Sequence, residues 1–154
     1  MAKSVEAKIK EEGKPPHMVD YLFKENLKNT GITYLQGNLG LFNHYVFDPK
    51  NIFGLKEGVI GSYGDFEIFI FKYEDEEECL KWFQEARSQL SDHPEFRDYT
   101  KHRDGFSLID AQGKYVFVKS FRNIILIYLG LKESFKRTLF DQIQSKISND
   151  SATH

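Results

Sequence analysis

Residues 66–73, Phe-Glu-Ile-Phe-Ile-Phe-Lys-Tyr, limit the possible folds of this chain more than any other stretch. Aromatic and β-branched side chains suit a pleated surface. Successive side chains of a strand point to opposite faces. Phe66, Ile68 and Ile70 therefore share one face, and Phe69, Phe71 and Tyr73 share the other. Neither face is polar along its length, so the strand needs cover on both sides.

The flanking segments say how that strand is connected. Residues 58–62 read as a shorter strand, and Tyr63-Gly64-Asp65 closes a hairpin in which Gly64 can supply a positive φ. After Tyr73 the period changes. Cys79, Trp82, Phe83, Ala86 and Leu90 lie on one side of a helix over residues 75–91. Asp75 and Glu78 have capping-box spacing, and the acidic run 74–78 suits a helix N-terminus. Ser91, Asp92 and Pro94 end the helix.

Elsewhere the chain follows the same two periods. Val19, Leu22, Phe23 and Leu27 predict a helix near 18–29, and residues 41–47 read as a strand before Asp48-Pro49. Residues 99–103 are extended but polar. Residues 106–110, 115–121 and 124–129 form a three-stranded meander, with 124–129 apolar on both sides and therefore central. Phe135, Leu139, Ile143 and Ile147 predict a last helix over 132–147. The expected fold is α+β: an antiparallel sheet of about five or six strands with three main helices packed on it. Residues 1–15 read as a charged N-terminal arm, 16–148 as a single domain and 149–154 as a polar tail.

Composition narrows the function classes. A net charge of −2 argues against a general nucleic-acid binder, although residues 96–103 interleave aromatic and basic side chains. No apolar run is long enough to span a bilayer, which argues against a membrane partner. The single cysteine permits no internal disulfide, and the charged first residues lack the apolar core of a signal peptide. A cytoplasmic protein is expected.

No catalytic or cofactor motif stands out, and no cofactor is expected. Cys79 falls on the buried side of its helix among glutamates, which disfavours a thiolate nucleophile. The consecutive acids 74–78 fan around a helix and do not converge on a metal. No metal site is read from the five histidines. His93, His102 and Asp104 lie in one polar segment and are the candidates for acid–base chemistry if the protein is an enzyme.

The leading reading is a non-enzymatic binding or interaction module. Fourteen Phe and eight Tyr supply large rings, which fill cores and interfaces efficiently and motivate a binding role. Phe69, Phe71 and Tyr73, joined by Tyr115 and Phe117, are the expected ligand or interface surface if the long helices cover the opposite face. Its cover is then the N-terminal helix, a second copy of the chain in a homo-oligomer such as a dimer, or a small apolar ligand.

Overall fold

The structure is a computed structural model that describes residues 21–22, 31–48 and 50–152. The predicted arm 1–15 and most of the predicted helix 18–29 lie outside the described residues. Its core is one seven-stranded antiparallel sheet. In chain order the strands are β1 (Ile32–Leu35), β2 (Glu57–Ser62), β3 (Phe66–Lys72), β4 (Arg97–Lys101), β5 (Gly105–Ile109), β6 (Tyr115–Phe121) and β7 (Ile124–Gly130). Among the described residues the α-helices are α1 (Asn38–His44), α2 (Glu76–Ser91) and α3 (Arg137–Ala152). Strand order across the sheet is β1-β2-β3-β7-β6-β5-β4. Two meanders, β1 to β3 and β4 to β7, are thus joined by α2 and close on each other where β3 pairs with β7.

The α+β class and the antiparallel sheet agree with the sequence, but there are seven strands rather than five or six. The additions are the edges. β1 holds one fully buried residue, Leu35, and β4 holds none, so neither carries a strong apolar signal. β4 is also bulged between Arg97 and Thr100, with Asp98 at φ +57°, a common way to blunt an exposed edge. Residues 41–47, expected as a strand, divide between α1 and an extended exit at Tyr45. Their rings suit a strand, but they pack one at a time against the sheet instead of alternating within it. The last helix begins at Arg137, after a 3₁₀ turn at Lys132–Ser134, and runs to Ala152, past the expected end at 147. No Gly or Pro interrupts 137–152, so the polar residues after Ile147 continue the helix.

β7 is central and every one of its residues is buried. β3 pairs with it along its whole length, from Phe66 opposite Gly130 to Lys72 opposite Ile124. The β2–β3 hairpin turns through Tyr63-Gly64-Asp65, with Gly64 at φ +96° as the turn requires. The β6–β7 loop is the two residues Arg122-Asn123. Only Arg122 has positive φ (+58°), the sign pattern of a type II′ turn.

α2 starts as its sequence specifies. The Asp75 carboxylate accepts the Glu78 N–H at 2.8 Å, and the Glu78 carboxylate reaches back to the Glu74 N–H at 2.9 Å. Cys79, Phe83, Ala86 and Leu90 turn inward on the sheet face that carries Phe69, Phe71, Val118 and Ile127. The segment 45–55 covers the rest of that face with Phe47, Ile52, Phe53 and Leu55. Gly54 permits its last turn: φ is +55° there, and a Cβ would collide with the Trp82 indole. The opposite face, with Val59, Ile68, Phe117 and Tyr128, is covered by Phe140, Ile143 and Ile147 of α3 and by Leu22. The two long helices therefore take opposite faces, which is how both apolar sides of β3 leave water.

Candidate functional site

This two-sided cover decides where the predicted surface residues lie. Phe69 and Phe71 are fully buried and Tyr73 is 3 % exposed, all within the α2-side core. The Tyr73 hydroxyl donates to the Phe53 carbonyl at 2.7 Å. Tyr115 and Phe117 belong to the other core. Register is the reason. Phe117 lies opposite Tyr128, which lies opposite Ile68, whereas Phe69 lies opposite Ile127, which lies opposite Val118. Paired residues share a face, so Phe117 goes with Ile68 and not with Phe69. The five rings thus form two interior layers and no common exposed patch.

The acid–base candidates also separate. The His102 Nε2 lies 2.8 Å from Ser107 Oγ, and its ring packs on Phe117 at 5.0 Å. Burial and the nearby Arg137 guanidinium lower its pKa, against the opposing pull of Asp104. Asp104 pairs with Arg137 at 2.8 Å and Lys119 at 3.1 Å. Burial alone would raise its carboxyl pKa, but these two cations outweigh that and hold it below the usual value. Arg137 in turn lies over Phe117, 4.9 Å from the ring centre. This cluster ties the start of α3 to the sheet. His93 has no contact with it.

His93 lies instead in an open cleft of about 640 Å³ between the exit of α1, the end of α2 and the β5–β6 turn. Four rings line it: Phe42, Tyr45, Phe47 and Phe96. Phe69 lies directly beneath, in edge contact with Phe47 at 5.9 Å and Tyr45 at 6.4 Å. Phe42 and Val46 on the rim are 40 % and 46 % exposed. An adjoining small recess continues toward Leu41 and Ile52. Sequence reasoning missed this cleft, because 41–47 read as a strand.

Two polar contacts hold the cleft walls together. Asp48 lies 3.0 Å from His93 Nε2, both side chains nearly buried, and accepts the Lys50 N–H at 2.7 Å. The Tyr45 hydroxyl donates to Asp110 Oδ2 at 2.7 Å, while Asp110 Oδ1 accepts the Gln112 and Lys114 N–H groups of the β5–β6 turn. Burial and then this carboxylate push the Tyr45 phenol far above its ordinary pKa, so it remains a donor.

The geometry of His93 restricts its chemistry. Its Nδ1 accepts the Glu95 backbone N–H at 3.1 Å. The ring proton therefore sits on Nε2 and points at Asp48. Both nitrogens are engaged by protein groups. Asp48 and Asp110 likewise spend their oxygens on protein donors. These groups fix the shape of the cleft, and among its carboxylates Glu95 alone has no ion pair or side-chain hydrogen bond with another described residue.

Cys79 has no exposed surface, and burial followed by Glu76 and Glu78 pushes its thiol up to about 12. Among the described residues, no three His, Cys, Asp or Glu side chains converge as a metal site. No helix among them is long and apolar enough to cross a membrane. The chain matches no protein-family model, and neither a curated protein nor a solved structure matches it significantly.

Proposed function

We propose that this protein is a non-catalytic binding module that accepts a small, largely apolar ligand in the cleft beside Tyr45 and His93. The observation that carries this reading is the pairing of four aromatic walls with Tyr45, Asp48, His93 and Asp110, whose polar groups are already held by protein partners. Ligand sites are commonly concave and apolar, with a few fixed polar groups. An acid–base enzyme needs a histidine nitrogen free to reach substrate, and His93 offers none. Aromatic recognition remains the theme expected from the composition, but its place is the cleft above Phe69, not the sheet face itself. The fully buried, unpaired Cys79 fits a reducing, cytoplasmic setting.

The test is a titration of the ¹⁵N-labelled full chain with benzyl alcohol and indole, followed by amide shifts. Shifts should concentrate at Tyr45, Phe47, Phe96 and Gln112 and vanish in Phe42→Asp, a rim substitution that leaves the core intact. Shifts elsewhere, or none at millimolar ligand, would overturn the proposal. Native mass read alongside separates a second occupant. A dimer of the parent chain that Phe42→Asp dissociates means that the rim serves self-association, and the small-ligand reading then falls.

A further inference from the structure

The charge around the cleft says more about what it holds. Asp48, Glu95 and Asp110 line it against the single ammonium of Lys114, a formal balance of −2 with its two histidines neutral. Asp48 and Asp110 accept N–H and O–H donors, as carboxylates do, yet they keep their negative charge close to the aromatic walls. Glu95 is exposed and has no ion pair with another described residue. The rings add to this field. The face of an aromatic ring carries negative potential and attracts cations. Tyr45 adds most, because a phenol donating to a carboxylate is richer in electrons. A concave site lined by one sign of charge also concentrates ions of the other sign.

We infer that the cleft selects an amphiphilic cation: an apolar or aromatic body carrying a substituted ammonium group. The body lies against Phe42, Phe47 and Phe96. The ammonium faces Tyr45 and the Glu95 and Asp110 carboxylates. The inference rests on the cleft being a ligand site, and it names the class of ligand. Lys114 alone would favour an anion, but three carboxylates outnumber it.

Three probes of similar size test this: benzyltrimethylammonium, benzyl alcohol and benzoate, titrated into the labelled full chain. The cation should bind at least about fivefold more tightly than the alcohol, and benzoate should bind most weakly. Glu95→Gln should weaken the cation about threefold and leave the alcohol unchanged, since the side chain is exposed and supports nothing else. Added salt should weaken the cation alone. Equal affinity for cation and alcohol, or preference for benzoate, overturns this inference and leaves the cleft as a binding site. If no probe shifts the cleft amides, both this inference and the binding reading fall.

Discussion

Tyr45→Phe isolates the contact that joins the two walls of the cleft. The substitution removes one oxygen and no ring. What is lost is the 2.7 Å hydrogen bond to Asp110, between residues 65 apart in sequence. A hydrogen bond to a charged group contributes about 1.5–3 kcal/mol. Two features place this one at the lower end. Asp110 keeps both turn N–H donors on its other oxygen, and the cleft is open, so water can take the place of the phenol. The expected cost is about 1.5 kcal/mol, or about 3–6 °C in Tm for a chain of this size. Urea unfolding of Tyr45→Phe, Asp110→Ala and the double variant reads it directly. Loss of the turn bonds in Asp110→Ala occurs on both sides of the cycle and cancels. A coupling energy of about 1–2 kcal/mol is expected, and one below about 0.3 kcal/mol would refute the tether. The same phenol gives a pH signature. Its folded pKa is raised, so its contribution is complete below the unfolded value of 10.0 and is lost as pH rises beyond it. The alkaline fall in stability should therefore be shallower in Tyr45→Phe.

Three further outcomes follow from the same contacts. Cys79, with its thiol at about 12 and no exposed surface, should react with a disulfide reagent only as fast as the chain opens; native labelling within seconds would contradict its placement. His102 and Asp104 both have lowered folded pKa values, so stability should be full above about pH 6.5, decline as His102 protonates, and decline again below the ordinary aspartate range; Asp104→Asn, which strips both cations of their partner, should cost about 1–3 kcal/mol by urea unfolding and flatten the acid limb. Phe69→Lys should abolish cooperative unfolding and near-ultraviolet dichroism, because it places an ammonium in a fully buried position; a folded variant that had merely lost self-association would show Phe69 to be surface.

What was legible in the sequence was what local period decides. The strand at 66–72, the capped helix after it and the β5–β6–β7 meander all carry dense apolar patterns, and each forms where that pattern points. What was not legible depends on pairing across the chain. Whether Phe117 joins Phe69 or Ile68 turns on the register of β7, which no local pattern of β6 contains. The same limit hid the cleft. His93 and Asp48 lie 45 residues apart in the sequence, and Tyr45 and Asp110 lie 65 apart. In sequence none of the four points to its partner until the β5–β6 turn and the end of α2 are brought against α1. His93, His102 and Asp104 looked related because they are close in sequence. β4 separates them: His93 precedes it beside the cleft, whereas His102 and Asp104 follow it and turn toward α3.

The sheet explains why a site would form at this place and not on its broad faces. A strand that is apolar on both sides obliges the chain to cover both sides, and α2 and α3 are spent doing so. α2 runs along one face but does not reach its whole width, and the remainder falls to α1 and the irregular segment 45–55. An irregular segment fits less closely than a helix, because its backbone donors and acceptors need partners of their own. The Asp48 and Asn51 side chains accept the backbone N–H groups of Lys50 and Leu55. The rings of Tyr45 and Phe47 pack edge-on over Phe69 at 5.9–6.4 Å, a favourable aromatic geometry. The gap left between this segment, His93 and the β5–β6 turn is the cleft.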